Sequence, residues 1–574
     1  MTEFTLRERK LQRWGALKLE RSSWISRWME ITQYLLPFSG RYFSQDRNRG
    51  DKNFNSIYDS TATRALRILS AGMMAGMTSP ARPWFRLATP DPDLMELEPV
   101  KLWLNNVTQI MRDIFARGNT YRALHTIYEE LGAFATATSI VDNDFDHVIW
   151  HNPLTAGEYA ISTDSRGKVD TLYREFELTV SQLVEKFVAP NRRVKSGSVK
   201  WDNVSHSVKT MWDTNRLEHW VPVLHAIEPR AHGDREYGKR DAKNMAWRSC
   251  YIELNGHENK VLRESGYEDM PVVGPRWHTR GGDVYGNGVA MEALGDIKQL
   301  QQEQLRKGQA IDYMTLPPIG IPGEMKSSDP DTLPGGVTYM GAVAQGAKAH
   351  NLFDVKLDLS HLLMDIQDVR HRIYQAFYAD LFLMISNDQR RQPVTAREIA
   401  ERHEEKLLML GPTLERLHDE MLSPLIDLTF AKMVEAGMLT GGLMPPPEMH
   451  GMDLKVEFVS MLAQAQKAVG LGSVDRLLGT VVLMAQGGKP EVLDKIDADQ
   501  VVDRYADMLA IDPTLIVADE RVGYIRAERQ KAQAAQAAAA MAPAAKDAAT
   551  AIKTMSEVNT EGAPQFSGYS APQG

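Results

Sequence analysis

The stretch "GVAMEALGDIKQLQQEQLRKGQAIDYM", residues 288–314, decides the fold of this chain. Its apolar residues recur at helical spacing at Ala290, Leu294 and Ile297, and the stripe fades into glutamines from Gln301 onward. A helix with so short an apolar stripe is weakly stabilised on its own. The pattern therefore predicts a long helix that packs against copies of the same chain, with polar faces left for a neighbour.

A second long helix is predicted at residues 358–382, "DLSHLLMDIQDVRHRIYQAFYADLF". Its apolar residues are spaced by three and four, which is typical of one buried helix face. They are Leu359, Leu362, Leu363, Ile366, Val369, Ile373, Phe377 and Leu381. Between the two helices, residues 316–341 are dense in Pro and Gly, which favours short strands and turns over another long helix.

A short polar loop follows in "SNDQRRQPVTAREIAERHEEK", residues 386–406, and it places Arg390 beside Arg391. Taken alone, these residues are compatible with a substrate clamp, a nucleic-acid contact or a solvated turn. Thr395 and Glu398 have the spacing of a capping box, which predicts the start of a further helix.

That helix is predicted to run towards residue 437, with kinks or interruptions at Pro412 and Pro424, because proline removes a backbone donor. A strand pattern follows at 454–460, and then helices continue to about residue 525. Twelve of the twenty residues in 531–550 are Ala, which predicts a helix-prone extension before a disordered end.

The first half of the chain begins with predicted helices. Residues 1–50 carry ten basic and five acidic side chains with Trp interleaved. They are compatible with a nucleic-acid arm or with an amphipathic helix packed on the body, and we favour the packed helix. A helix capped by Ser60 or Thr61 follows, in which Gly72 and Gly76 allow another backbone to approach closely.

Two more helices are predicted around Gly118, and the period then changes to that of strands. Stretches 138–153 and 169–179 read as strands with turn residues between them, and a short helix capped by Thr179 or Ser181 follows. Short strands broken by Gly and Pro recur over 217–275. Together these segments predict a small β-rich layer.

The composition restricts the class of protein. The chain has 574 residues, of which 43% are hydrophobic, and a formal net charge of −9. A protein that grips DNA tightly as a monomer is usually basic, so any contact with nucleic acid must be local or weak. With Cys250 as the single cysteine and no apolar signal or membrane run, we expect a soluble protein made in a reducing cytoplasm.

Acidic and histidine motifs that suggest a metal site depart from the patterns that metals require. Asp142, Asp144 and Asp146 have calcium-loop spacing, but His147 and Pro153 stand where that loop needs Gly and Glu. A hairpin turn is the better interpretation. The pair of His147 with His151, four residues further on, lacks the Glu of a zinc motif.

Enzyme motifs are equally incomplete. The Gly-rich "GGDVYGNG", 281–288, has neither the Lys-Ser/Thr ending of a P-loop nor the spacing of a dinucleotide fingerprint, so a turn that feeds a helix is favoured. Cys250 lies in a strand pattern and is interpreted as core. We therefore predict no catalytic, cofactor-binding or metal-binding residue. Two classes stay open on the residues alone, namely an unrecognised enzyme and a structural assembly protein.

Five stretches in this order resemble a known family. They are "LSAGMMAGMTSPARPWFRL" from 69, "GKVDTLYREFELTVSQLVEKF" from 167, "RGGDVYGNGVAMEALGDIKQL" from 280, "QPVTAREIAERHEEKLLMLGPTLERL" from 392 and "LKVEFVSMLAQAQKA" from 454. The resemblance covers roughly residues 5–470. It is to the portal, or head-to-tail connector, proteins of short-tailed double-stranded DNA bacteriophages.

The resemblance implies an α+β, helix-rich portal fold that assembles as a ring. By position, the implied parts are a wing at 1–287, a stem at 288–312 and 357–382, a clip at 313–356, a tunnel loop at 383–394, a wing and long helix at 395–460, a crown at 461–525, and an Ala-rich extension with a possible barrel and a disordered tail at 526–574.

The resemblance also implies a function without catalysis. We expect twelve copies at one capsid vertex of the virion, after assembly in the host bacterial cytoplasm, forming a channel for packaging and ejecting double-stranded DNA without sequence specificity. The implied partners are terminase, major capsid and scaffold proteins, and then tail adaptor proteins, with no cofactor and no membrane. Another capsid-associated structural or adaptor protein is the alternative.

The charge of the implied stem and clip agrees with a channel for DNA. Residues 286–382 contain eight basic and twelve acidic side chains, a balance that repels DNA and lets it slide. The implied contact residues fall into two sets. The DNA-facing candidates in the tunnel loop are Asn387, Gln389, Arg390 and Arg391, and the candidates for terminase docking on the clip are Glu324, Lys326, Asp329 and Asp331.

Replacing Arg390 and Arg391 by Ala should leave ring assembly intact but alter DNA packaging or retention, because each arginine removed takes away one transient phosphate contact per subunit. Packaging rate and yield and DNA retention measure the effect, with rings counted by electron microscopy as the control. If the variants Arg390→Ala and Arg391→Ala both package and retain DNA at normal rates and yields, the charge of the loop does not contribute to packaging or retention.

Overall fold

The computed structural model combines helices with small sheets, which confirms a mixed α+β, helix-rich chain. The described residues are 4–43, 56–95, 97–188, 201–236, 238–239, 241–256, 258–322, 331–340, 350–351, 359–387, 409–440, 443–449, 451–460, 477–486, 495–497, 499–502, 517, 521–536 and 553.

The helices follow the periodicities of the sequence closely in the first half of the chain. They are α1 (Leu6–Tyr34), α2 (Thr61–Met77), α3 (Pro92–Met95), α4 (Glu98–Arg117), α5 (Thr120–Phe134), α6 (Val180–Phe187), α7 (His206–Asp213), α8 (Val289–Thr315), α9 (Ser360–Ala376), α10 (Ala379–Asn387), α11 (409–417) and α12 (Ser423–Glu435). Further helical residues lie at 477–486 and 521–536.

The strands form four sheets among the described residues. The strands are β1 (Phe85–Ala88), β2 (Thr138–Asp144), β3 (Val148–Leu154), β4 (Tyr159–Thr163), β5 (Val169–Thr179), β6 (Trp220–Pro229), β7 (Trp247–Glu253), β8 (Arg263–Tyr267), β9 (Val272–Val273), β10 (Ile319–Pro322), β11 (Val337–Met340), β12 (His350–Asn351) and β13 (Lys455–Phe458). The sheet orders are β1-β13, β3-β2-β9, β4-β5-β6-β7-β8 and β11-β10-β12. The predicted β-rich layer is therefore confirmed as an antiparallel five-stranded sheet beside a three-stranded one.

The main core lies where α2, α4 and α5 meet the C-terminal half of α1 and the first half of α8. Trp28, Trp84 and Phe115 are among its largest buried side chains. The ring of Trp28 meets that of Tyr285, which precedes α8, edge to face at 5.3 Å between centroids. These contacts attach the start of α8 to the helical body.

Helix α1 packs across one face of the five-stranded sheet, which confirms the packed-helix interpretation of residues 1–50. Trp14 is buried and stacks on Tyr173 of β5 at 6.3 Å. Lys10 pairs with Glu228 of β6, which also accepts a hydrogen bond from Tyr173 Oη at 2.6 Å. Burial lowers the pKa of Lys10 to about 8. The basic character of α1 thus serves its attachment to the sheet.

More ion pairs extend this network on the α1 face of the sheet. Arg248 of β7 pairs with Asp234 at 2.6 Å and with Glu264 of β8 at 3.2 Å. Arg230 pairs with the same Glu264 at 2.9 Å. With Lys10 and Glu228 included, three cations meet three carboxylates on this face, so its charge is balanced.

The predicted helix at 358–382 is wrong in one respect, because the chain breaks between α9 and α10. Tyr378 adopts a left-handed backbone, with φ at 52°. The apolar spacing continues across the break, and Ile373, Phe377 and Leu381 are all buried, whereas Leu363 is 41% exposed. Residues 383–387, predicted as the start of a polar loop, belong to α10.

Three further expectations concern the chain after α10. The capping box at Thr395 and Glu398 lies outside the described residues. α11 is helical through Pro412, so no interruption occurs there. The predicted interruption near Pro424 is confirmed as a π-helical turn at His418–Leu422, immediately before α12.

The π-helical turn carries a buried ion pair. Glu420 accepts hydrogen bonds from the backbone N of Arg276 at 3.0 Å and from its guanidinium at 2.6 Å. Arg416, one turn earlier, donates to the same carboxylate at 3.1 Å. Arg276 also donates to the carbonyl of Gly167 at 2.6 Å. Three separate parts of the chain are therefore joined through Arg276 and Glu420.

Gly72 is a site of close approach, as predicted, but the approaching group is a side chain. A Cβ at Gly72 of α2 would lie 2.2 Å from the ring of Phe382 on α10. Phe382 is 7% exposed in this position. The glycine therefore makes room for the aromatic anchor of α10, rather than for a helix backbone.

Replacing Gly72 by Ala should destabilise the protein by about 1–3 kcal/mol, because the added methyl overpacks the contact with Phe382. The matched control is Gly15→Ala in the middle of α1, where a Cβ would meet nothing within 4 Å. That change should stabilise by about 0.5–1 kcal/mol through helix propensity. Denaturant unfolding of the two variants measures both, and equal effects would contradict the assigned contact.

Candidate functional site

Helices α8 and α9 pair in antiparallel orientation. Asp296, early in α8, lies 3.5 Å from Arg372, late in α9. Glu303, further along α8, lies close enough to Asp365, which is earlier in α9, that burial and the charge of Asp365 together raise the pKa of Glu303. The ends that join the Pro- and Gly-rich insert therefore lie together, as a helical hairpin requires.

Asp59 attaches this helix pair to the body. Its Oδ2 accepts from Arg370 of α9 at 2.6 Å and from Gln304 of α8 at 3.0 Å, while Oδ1 accepts from the backbone N of Thr61 at 2.8 Å. The Asp59 side chain is 6% exposed. Burial opposes its ionisation, but hydrogen bonds from Thr61 and Arg370 lower the pKa of Asp59 below its ordinary value.

Gln301 completes this junction from α8. Its Oε1 accepts from the backbone N of Tyr58 and of Asp59, at 2.6 and 2.8 Å, and its Nε2 donates to the Asp59 carbonyl at 2.9 Å. Gln301 is 3% exposed. The expectation that the polar residues of α8 from Gln301 onward face a neighbour or a channel is therefore wrong for Gln301, because it binds backbone groups of its own chain.

The sequence reasoning did not identify Asp59. The expected caps of α2 were Ser60 or Thr61, yet Ser60 makes no side-chain capping bond and Asp59 accepts from Thr61 instead. In the sequence around residue 59, the only feature that suggests this role is an Asp two residues before the start of a helix. Nothing local reveals its partners on α8 and α9, which lie more than 240 residues away in the chain.

A pair of carboxyl groups bridges the two helices beyond this junction. Glu303 is 8% exposed and accepts from Gln299 at 2.6 Å. Burial, followed by the hydrogen bond and negative charge of Asp365, raises the pKa of Glu303. Two carboxyl groups held close together retain a proton more readily than isolated ones.

The far half of the helix pair exposes apolar side chains. The exposed members are Leu305, Ile311, Met314 and Leu316 on or just after α8, and Leu363 and Met364 on α9. Their exposed fractions range from 36% at Leu305 to 68% at Met364. Several exposed apolar side chains on one helix pair are typical of a surface that another molecule covers.

The insert between the helices forms the sheet β11-β10-β12. Its parallel β10–β11 pair and antiparallel β10–β12 pair confirm the prediction of short strands in the described part of 316–341. Asp331 stabilises a turn, because its Oδ1 accepts from the backbone N of Leu333 at 3.1 Å. The other clip candidates, Glu324, Lys326 and Asp329, lie outside the described residues.

The candidate DNA-facing residues follow α10. Asn387 is the last residue of that helix, whereas Gln389, Arg390 and Arg391 lie outside the described residues. The segment begins at the end of α10. The contact of Phe382 with Gly72 holds α10 against α2.

The rejected motifs have structural roles. Gly286 lies so close to Ala135 that a Cβ would be 2.2 Å from its carbonyl O, and Gly288 precedes α8 directly. The Gly-rich stretch is thus the predicted turn that feeds a helix.

Asp144 Oδ2 accepts from His147 at 2.7 Å at the tip of the β2–β3 hairpin, which confirms a turn. Burial raises the pKa of the Cys250 thiol to about 12.

No three His, Cys, Asp or Glu side chains among the described residues form a cluster that could hold a metal ion. His151 is buried, and burial lowers its pKa to about 4. Within the same part of the chain, no helix combines the length and apolar character of a membrane span.

Replacing Asp59 by Asn should destabilise the protein by about 1–3 kcal/mol, because Arg370 and the first turn of α2 lose a charged acceptor. The control is Asp368→Asn, a 64% exposed carboxylate that lies 3.7 Å from Arg372. A surface pair of that kind contributes about 0–1 kcal/mol. If denaturant unfolding gave equal changes for the two variants, Asp59 would not be the attachment point.

Comparison with known proteins places nearly the whole chain in one family. The family model described as "Bacteriophage head to tail connecting protein" matches residues 7–517. A "Probable portal protein" of Bordetella phage BPP-1 is 56% identical over 573 residues, which is 99% of this chain and 100% of that protein.

Two further relatives extend the comparison. The "Portal protein" of Salmonella phage epsilon15 is 43% identical over 572 residues, covering 98% of this chain and 99% of that protein. The "Portal protein" of Pseudomonas phage phiKMV is 24% identical over 268 residues, covering 45% and 50%. With nearly its full length matched, the chain belongs to the family of bacteriophage head to tail connecting proteins.

Proposed function

We propose that twelve copies of this portal chain close into a ring at one capsid vertex, with the α8–α9 pairs arranged around a channel for double-stranded DNA. The observation that carries the proposal is the exposed apolar surface on the far half of α8 and α9. An apolar surface on a projecting helix pair is stabilised when the next copy covers it.

Ring closure requires each subunit to present two different faces to its neighbours. The near half of the helix pair is attached to its own body through Asp59 and Gln301, and we propose that the far half meets another copy. A fixed junction also gives every subunit the same angle between helix pair and body, which a closed ring needs.

The electrostatic balance suits DNA that must slide in both directions. Residues 286–382 carry twelve acidic and eight basic side chains, and each additional phosphate contact would raise salt-dependent affinity. Arg390 and Arg391 after α10 are proposed to touch the backbone transiently, with Asn387 and Gln389 as flanking DNA-facing residues. The first five residues of the proposed tunnel loop at 383–394 are helical, because α10 extends to Asn387.

The remaining parts keep their proposed roles. The insert, with Glu324, Lys326, Asp329 and Asp331, is the proposed docking surface for terminase during packaging and for tail adaptor proteins afterwards. Capsid and scaffold proteins are the proposed partners of the body within the virion, after assembly in the host cytoplasm. The chain itself is proposed to catalyse no reaction.

Electron microscopy of the purified protein should show rings of twelve subunits with a central channel wide enough for duplex DNA, which is about 20 Å across. Assembly is to be tested at high concentration and with scaffold protein, since dilute buffer can leave subunits dissociated. Absence of rings under every assembly condition, or absence of the protein from virions, would exclude the proposal.

The double variant Ile311→Glu with Met314→Glu should fold but fail to form rings, because it places charge on the exposed apolar surface of α8. The control is Leu19→Glu on α1, a 76% exposed apolar residue outside the helix pair. Analytical ultracentrifugation and far-UV circular dichroism separate loss of assembly from loss of fold. Rings of normal yield in the α8 variant would show that neighbouring subunits meet elsewhere.

A further inference from the structure

The five-stranded sheet carries a row of polar side chains on the face opposite α1. The strand register pairs Arg174 of β5 with His225 of β6, His225 with Tyr251 of β7, and Tyr251 with Arg263 of β8. Directly paired residues lie on the same face of a sheet. His225 and Tyr251 are 1% and 2% exposed, and their rings stack at 3.9 Å.

Lys186 of α6 brings a third cation to this row. Its Nζ lies 5.0 Å from the centre of the Tyr251 ring, and Cζ of Arg263 lies 5.1 Å from the same centre. Arg174 lies 4.6 Å from the ring of Phe176, and Lys186 lies 5.9 Å from it. The buried ring of Tyr251 and the partly buried ring of Phe176 thus lie among three cations.

The row lacks a matching negative charge. None of the three cations makes an ion pair with a carboxylate within 4.0 Å in the described part of the chain. Burial, and then the charges of Arg174 and Arg263, lower the pKa of Lys186. Arg174 and Lys186 are partly buried, and cations that a protein partly desolvates are ordinarily paired, so the cluster is suited to an anion.

The neighbouring acids are already engaged. Asp142 accepts from Asn152 at 2.8 Å and from Tyr267 at 3.0 Å. Glu158, which lies in the field of Arg174, pairs with Arg41 at 3.6 Å.

Counting Arg41 with the three cations gives four positive charges against the two carboxylates of Asp142 and Glu158, so two remain unbalanced. Residues 189–200, directly after α6, lie outside the described structure, and their sequence "APNRRVKSGSVK" contains no acid that could balance them.

We propose that Arg174, Lys186 and Arg263 form a phosphate-binding site on this face of the sheet, taking a free phosphate or a backbone phosphate of DNA. Two guanidinium groups match an oxyanion through paired N–H donors, and an excess of two positive charges suits a free phosphate dianion and also attracts the single charge of a backbone phosphate. The site lies on the sheet, apart from the helix pair proposed to surround the channel, and it goes beyond the portal function proposed above.

The test compares the parent protein with the double variant Arg174→Gln, Arg263→Gln. Lys209→Gln is the matched control, because Lys209 makes the same type of contact with an aromatic ring, 5.9 Å from Trp201, outside the row. In the first arm, inorganic phosphate is titrated at constant ionic strength and thermal unfolding is followed. Phosphate should stabilise the parent and the control, and the double variant should need at least about a hundredfold more phosphate, roughly tenfold for each arginine lost.

In the second arm, binding of duplex DNA is measured against salt concentration. The slope of log K against log salt should fall by about 1.8 in the double variant, at about 0.9 per phosphate contact, and stay unchanged in the control. A change in both arms supports a DNA backbone phosphate as the natural ligand, whereas a change in the phosphate arm alone supports a free phosphate.

Identical behaviour of the parent and the double variant in both arms would overturn the proposal. So would competition by poly-glutamate with no effect of phosphate, since that result identifies an acidic peptide as the ligand. The single variant Arg263→Gln, at an exposed position of an edge strand, keeps the test decisive if the double variant does not fold. It should need about tenfold more phosphate and lower the DNA slope by about 0.9.

Discussion

The buried carboxylate of Asp59 is the contact on which the arrangement of the helix pair depends. One residue receives hydrogen bonds from the first turn of α2, from α8 and from α9, and its backbone is held by Gln301. A buried ion is tolerated only when its lone pairs are satisfied together, so the three helices cannot shift independently. The same contact fixes which residues of α8 and α9 lie opposite each other, and therefore which apolar side chains remain exposed on the far half.

Much of this fold follows from local patterns in the sequence. Helical periodicity predicted α2, α4 and α5, alternation predicted the hairpin β2–β3, and departures from the calcium-loop pattern correctly favoured a turn at Asp144 and His147. The family followed from five stretches in order, although no single one carries a catalytic motif. These features share a cause, since each depends on residues close together in the chain.

The errors arise where distant contacts override local patterns. The apolar spacing runs unbroken from Ile373 through Phe377 to Leu381, and nothing in it marks the left-handed backbone at Tyr378. Gln301 has the composition of an exposed residue, yet its partners are backbone groups 242 and 243 residues away. The candidate residues that follow α10 came from the resemblance alone, and they remain predictions.

The two faces of the five-stranded sheet differ in whether their cations are paired with carboxylates. On the α1 face, Lys10, Arg230 and Arg248 meet three carboxylates, so the network is complete within the chain. On the opposite face, Arg174, Lys186 and Arg263 surround aromatic rings and no carboxylate pairs with them among the described residues. On the α1 face, the chain neutralises its buried cations with its own carboxylates. Packing alone therefore does not explain why three cations on the opposite face have no such partners among the described residues.

The bend at Tyr378 has a mechanical consequence. Because α10 is not a continuation of α9, a pull on the chain beyond Asn387 does not act along the axis of α9. The load passes sideways, through Phe382 into α2 at Gly72, and from there into the helical core. A pull applied at the end of α10 is therefore shared between α9 and the helical core, rather than carried by the α8–α9 pair alone.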